Sequence, residues 1–249
     1  VSLSPDPQPS DADGHAPPEV VNAVAPVGAV VDPRAVPVAG VDSDLPAVPA
    51  ERLSAAALRA RFAAPPVWAA EVRREPRQTR RSPAPAAVLV PIVQRAEPMV
   101  LLTERATRMS THSGQIAFPG GRVDPGDASI ADAALREAWE EVGLEAGFVE
   151  VLGELPTYTT ITAFVVTPVV ALVQPGFVLR PNPAEVADVF EVPLAFLMDP
   201  AHHRRHRVDD GSGQSRHFFS MPYDDHGRER YVWGATAGML RNLYRFLSA

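Results

Sequence analysis

The stretch LREAWEEVGL, residues 135–144, places Glu137, Glu140 and Glu141 close together and offers no lysine to offset them. On a helix Glu137 and Glu141 are i,i+4 neighbours, and Glu137 and Glu140 are i,i+3 neighbours, so the three share a face. Like charges at those spacings cost roughly a few tenths of a kcal/mol per pair, and Arg136, four residues before Glu140, returns only part of that. Taken alone, three glutamates describe a solvated acidic face as readily as a binding site. The chemistry they suit is coordination of a hard divalent cation, because Mg2+ takes few protein carboxylates and leaves room for water and phosphate oxygens. A second feature is FPGG at 118–121, where glycine lets the backbone come close to phosphate. By itself that is only a tight turn. Glycine turn, helix start and acid cluster together have the parts of a metal–diphosphate site.

Other elements must hold these groups in place. The helix is expected from about Ser129 to Val142, closed by Gly143, with Ala131, Leu135, Ala138 and Val142 facing a sheet and the glutamates roughly opposite. Upstream, AAVLVPIV (86–93) and MVLLT (99–103) read as buried strands joined by a short polar turn, and QIAF (115–118) as a third strand stopped by PGG. VEVLGEL and FVVTPVVALV are further strands, as are HFFSMPY and RYVW, and GATAGMLRNLYRFL is a terminal amphipathic helix. ERLSAAALRARF (51–62) is an earlier amphipathic helix, and the arginine-rich EVRREPRQTRRSP (71–83) reads as a solvated connector, since no aromatics are interleaved for nucleic-acid binding. Strands mixed with a few helices indicate an α/β sandwich on a mixed sheet.

Composition separates the two ends of the 249-residue chain. Residues 1–50 hold 10 of the 27 prolines, no aromatic residue, and −6 of the net charge of −7. Such a segment buries too little apolar surface to offset its ordering entropy, so residues 1–50 are expected to be a disordered tail and 51–249 the folded domain. The acidity belongs to the tail and says little about partners. No run of apolar residues is long enough for a transmembrane helix. The absence of cysteine excludes disulfides, thiolate metal sites and cysteine nucleophiles, and suits a cytoplasmic setting. All 23 basic residues are arginine, which excludes a Schiff-base lysine.

Residues 120–144, GGRVDPGDASIADAALREAWEEVGL, resemble the Nudix box: a glycine, spaced acids, then Arg-Glu-apolar-x-Glu-Glu-x-Gly-apolar. Gly121, Arg136, Glu137, Ala138, Glu140, Glu141, Gly143 and Leu144 fit those positions. Two departures are visible: Asp127 stands where the box has glutamate, and one extra residue separates it from Arg136. The resemblance implies a Nudix-type α/β/α sandwich and hydrolysis of a nucleoside diphosphate linked to another moiety, with Mg2+ or Mn2+ as cofactor. Carried onto this chain, Glu137 and Glu141 are the foremost metal ligands and Glu140 the third. Arg136 orients a box carboxylate, and Gly120 and Gly121 lie next to substrate.

A second segment, LLTERATRMSTHSGQIAFPGG (101–121), resembles the signature of the coenzyme A diphosphatase branch at Leu101, Leu102, Thr103, Arg105, Ala106, Gly114, Phe118, Pro119, Gly120 and Gly121. Ser110 departs from it, standing where the signature has arginine, and Arg108 lies two residues earlier. The likeness covers about residues 55–245 and implies a coenzyme A-like nucleotide as partner, with Arg105 meeting the extra phosphate. Nucleic acid and membrane are not expected partners, and a homodimer is left open. Glu185, in NPAEVADVFEVPL, matches a downstream acid that completes the metal site or acts as base, and Glu140 is the other candidate base. An exposed loop glutamate is the plainer alternative. The loop HHRRHR (202–207) could bind a borderline metal through His202, His203 and His206, but a solvated basic loop is favoured. Tyr231 and Trp233 are expected as core aromatics. Rival readings are a Nudix hydrolase of NADH or ADP-ribose, and a catalytically silent nucleotide-binding module.

Overall fold

A computed structural model describes residues 32–75, 82–106, 114–209 and 215–249. The chain runs through strand β1 (Val38–Val41), helix α1 (Ala55–Ala63), strands β2 (Ala84–Val93), β3 (Met99–Arg105), β4 (Ile116–Ala117) and β5 (Gly120–Arg122), and helix α2 (Ile130–Val142). Strands β6 (Val149–Glu154), β7 (Tyr158–Thr159), β8 (Phe164–Val173) and β9 (Val186–Pro193) follow, then the short helix α3 (Leu194–Leu197). Strands β10 (Arg204–Asp209), β11 (Ser215–Asp225) and β12 (Arg228–Trp233) lead into helix α4 (Gly234–Ser248).

The larger sheet is built on β2 and β8, which pair in parallel from Ala84 opposite Phe164 to Val93 opposite Val173. Both strands are valine-rich apolar runs, as expected of strands covered on both faces. The other strand pairings of this sheet are antiparallel: β2 with β3, β3 with β9, β3 with β4, β6 with β8, β7 with β8, and β5 with β2. The sheet is therefore mixed. Successive side chains point to opposite faces. Ala87, Leu89, Leu101, Val169 and Ala171 pack beneath α2 through Ala133, Ala134, Ala138 and Val142. Val90, Ile92, Val100, Leu102 and Leu172 belong to the second core, with Leu58 of α1 and Leu240, Leu243 and Leu247 of α4. Helices on both faces make the α/β/α arrangement.

Two expectations need correction. Residues 32–50, assigned to the tail, belong to the fold: β1 pairs antiparallel with β10, Val36 and Val48 are buried, and the Val48 N–H donates to the Met198 carbonyl. Residues 1–31 lie outside the described residues. The stretch HHRRHR is no solvated loop, for it largely forms β10 in a second, four-stranded sheet ordered β1-β10-β11-β12. His203 and His206 are buried there. The Arg241 guanidinium donates to His203 Nδ1 at 3.1 Å, so Nε2 carries the proton and donates to the Leu197 carbonyl at 2.8 Å. Burial pushes the His203 imidazole down to about 4. His206 Nδ1 meets the Val36 carbonyl and its Nε2 meets Ser220 Oγ, so neither ring is available to a metal or a phosphate. Tyr231 is buried, as expected, with its hydroxyl on the Pro33 carbonyl. Among the described residues no helix is long and apolar enough to cross a membrane.

Candidate active site

Helix α2 begins and ends where its sequence says it should. The Ser129 hydroxyl accepts the Asp132 N–H at 3.1 Å, a side-chain cap on the first turn. At the other end Gly143 takes a left-handed φ of 71°, its N–H bonds to the Trp139 carbonyl, and the Leu144 N–H reaches back to Ala138. Two further donors close the last turn from outside: the Arg180 N–H on the Val142 carbonyl and the Asn182 N–H on the Glu141 carbonyl, both at 2.8 Å.

The helix does not carry its three glutamates as one solvated face. Glu141 lies with Ala138 and Val142 on the buried side and is only 4% exposed, whereas Ala131 and Leu135 sit at the edge of the contact. One Glu141 oxygen accepts the Gly120 N–H at 3.1 Å, and the other lies 3.8 Å from Arg105 Nη1. Burial outweighs both favourable contacts and pushes the carboxyl up to about 7, with the nearby charges of Glu137 and Glu185 adding to the rise. Glu137 is also raised by burial, despite the Arg136 guanidinium at 3.0 Å. Its carboxylate rests against Gly121, where any side chain would collide with it. Gly120 is similarly confined, since a side chain there would strike the backbone of Ala87 and Val88 on β2. The glycine turn thus brings the sheet backbone against two carboxylates whose charged form burial disfavours.

Arg136 organises the remaining acids. Its Nε and Nη2 grip Asp127 in a two-pronged pair at 2.9 and 3.0 Å, and Nη2 also donates to the Arg122 carbonyl. Its Nη1 donates to Glu137 at 3.0 Å and to Glu140 at 3.1 Å. The Arg136 pair, with the Asp124 N–H, holds the Asp127 carboxyl below the usual carboxylate range. Asp127, the departure from the box, therefore anchors the arginine rather than joining Glu137 and Glu141. Glu140 is about half exposed and turned toward Arg136. Among the described residues no three acid or imidazole side chains converge on a common point, so the expected trio divides into the pair Glu137–Glu141 and a peripheral Glu140.

The NUDIX domain family matches residues 83–209, a span that holds the glycine turn, helix α2 and Glu185. The chain belongs to the Nudix family. The protein called "Uncharacterized Nudix hydrolase NudL" of Citrobacter koseri is 45% identical over 158 residues, covering 64% of this chain and 80% of that protein. Its namesake in Shigella flexneri is 43% identical over 174 residues, covering 70% of this chain and 85% of that protein. A solved structure titled an Ap4A hydrolase binary complex, from C. elegans, is 22% identical, covers 47% of this chain and 85% of that one, and has a TM-score of 0.40. The Nudix domain and the hydrolase relatives make this chain a hydrolase acting on pyrophosphate bonds.

Around the Nudix helix α2, two further residues are placed by the sheet. Arg105 ends β3 on the side facing α2, and its N–H bonds to the Gln115 carbonyl just before the glycine turn. Glu185 immediately precedes β9, and its carbonyl accepts the Ala106 N–H at 2.8 Å, next to Arg105. Its carboxylate accepts from Asn182 Nδ2 at 3.1 Å, and its charge is felt by both Glu137 and Glu141. Glu185 thus stands near enough for its charge to act on both carboxylates of the pair. Asn182 was missed by sequence reasoning, although Asn-Pro is a turn signal whose side chain readily bonds nearby groups. Ser110 and Arg108 lie outside the described residues.

The donor set fits a divalent cation. Oxygen ligands suit Mg2+ and Mn2+, and the buried Glu141 and partly buried Glu137, one helical turn apart, are both raised by burial despite the arginines beside them.

Proposed function

We propose that this Nudix hydrolase cleaves coenzyme A or a derivative of it to 3′,5′-ADP and 4′-phosphopantetheine, with Mg2+ or Mn2+ as cofactor. The observation that carries the reaction is the Glu137–Glu141 pair, Glu141 buried and Glu137 partly buried, set against Gly120 and Gly121. Glu137 and Glu141 would hold the cation, which when bound supplies charge neutralisation at the diphosphate and acidifies a water. Hydrolysis of a diphosphate depends mainly on positioning and electrostatic neutralisation, and the chain's own groups are placed for both. Glu185 takes the proton of the attacking water. Arg136, anchored by Asp127, fixes the rotamer of Glu137 and keeps Glu140 at the rim.

The coenzyme A reading is supported by the likeness of residues 101–121 to that branch's signature. Arg105 stands beside Glu141, which favours contact with the scissile diphosphate over the extra phosphate first assigned to it. A second reading, another nucleotide diphosphate such as NADH or ADP-ribose, is favoured by Ser110, where the signature has arginine. The test is incubation with coenzyme A, NADH or ADP-ribose in Mg2+ or Mn2+, with products separated by chromatography. Metal-dependent release of 3′,5′-ADP from coenzyme A is expected. Cleavage of NADH or ADP-ribose with coenzyme A untouched would overturn the substrate.

A further inference from the structure

Asn182 touches both halves of the site without belonging to either. Its backbone N–H closes the last turn of α2 on the carbonyl of Glu141, a residue whose side chain lines the site. Its side-chain Nδ2 donates to Glu185 Oε1 at 3.1 Å, and its Oδ1 accepts the Ala184 N–H at 3.1 Å, which closes a tight turn. Its carbonyl accepts from the N–H groups of Glu185 and Val186 at 3.0 and 2.8 Å. Pro181 and Pro183 flank it and restrict the local backbone. One residue therefore holds the backbone and the carboxylate of Glu185 while being bonded to the end of the Nudix helix.

We propose that Asn182 is a positioning residue that sets Glu185 in register with Glu137 and Glu141. This rests on the reading of Glu185 as the proton acceptor. A glutamate at the start of a strand has several rotamers open to it, and a donor fixed to the neighbouring helix selects one of them. The three contacts are separable. The backbone bond to Glu141 is kept by both Asn182→Ala and Asn182→Asp. Asn182→Ala removes both side-chain contacts. Asn182→Asp keeps an acceptor for the Ala184 N–H but replaces the donor with a carboxylate facing Glu185.

Steady-state kinetics on the diphosphate substrate should show kcat reduced about tenfold or more in both variants, with KM within about twofold. Asn182→Asp should be at least as impaired as Asn182→Ala. Full kcat in Asn182→Asp would reduce the residue to a turn former, and a change confined to KM would make it a substrate contact; either overturns the proposal. A second readout needs no activity. At pH 8 Asn182→Asp should lower the thermal midpoint by about 2–4 °C through repulsion from Glu185, and Glu185→Gln should cancel that drop in the double variant. Strictly additive midpoints would overturn the link. If the wild type cleaves no diphosphate, the proposed function fails, and the midpoint cycle still decides whether Asn182 holds Glu185.

Discussion

Replacing Glu141 with Gln should make the cation-free protein more stable above neutral pH, while destroying its function. Burial raises this carboxyl from an ordinary 4.5 to about 7. A rise of about 2.5 units corresponds to roughly 3 kcal/mol of destabilisation once the group is charged in both folded and unfolded chains. Gln keeps an acceptor for the Gly120 N–H, and the attraction of Arg105 that it forgoes is already counted in that net rise. The gain is therefore roughly 3 kcal/mol, or about 6–12 °C in a domain of this size. The pH dependence has a fixed sign. Because the folded value lies above the unfolded one, the wild type holds its full stability below about 4.5 and loses it as pH rises through about 7. The two proteins should therefore match in urea unfolding near pH 4.5 and diverge toward pH 8, with EDTA present throughout. Adding Mg2+ at pH 8 should stabilise the wild type and leave the variant unchanged. A variant less stable than wild type at pH 8, or a difference indifferent to pH, would refute the reasoning.

Gly121→Ala should drive the Glu137 carboxylate out of its place and lower Mn2+ affinity in calorimetry at least about tenfold, with little change in the urea midpoint, because residue 121 is an extended strand position. Arg136→Lys cannot reproduce the two-pronged grip on Asp127 together with the bonds to Glu137 and Glu140, so kcat should fall about tenfold or more at unchanged KM. Asp127→Ala should do the same, and the double variant should be no worse than the worse single, since both break one network. His203 is held neutral down to about 4, so it removes stability as pH falls from about 6.5 toward 4. That slope opposes the one from Glu141, and it should emerge in Glu141→Gln and vanish when His203→Gln is added, as read by urea unfolding.

Much of the frame could be read from the sequence because its signals are local. The serine cap and the closing glycine of α2 act within one turn of the residues they serve, and the apolar runs of β2 and β8 need nothing but burial. What escaped depends on partners far along the chain. Glu141 reads as a polar helix position, and the Gly120 N–H and Arg105, both supplied from the sheet, are the partners that let a carboxylate sit at the buried interface. His203 and His206 look solvent-loving until Arg241, Ser220 and the Val36 carbonyl are brought to them from other elements. Residues 32–50 lack aromatic and amphipathic signals, yet β10 provides the edge that turns Val38–Val41 into a strand. The Nudix box itself was legible through its spacing. The division of labour within it, with Asp127 on Arg136 and Glu137 with Glu141 inward, was not, because it depends on side-chain rotamers.

The central claim is that Glu137 and Glu141 form a divalent-cation site. Calorimetric titration with Mn2+ at pH 6, 7 and 8, in buffers of different ionisation enthalpy, tests it most directly. A carboxyl raised to about 7 must give up its proton when the cation binds. Proton release should therefore fall from about 0.9 per Mn2+ at pH 6 to about 0.1 at pH 8, with affinity rising over the same range. Glu141→Gln should abolish tight binding at every pH. Binding undiminished in that variant, or binding with no proton released at pH 6, would contradict the account.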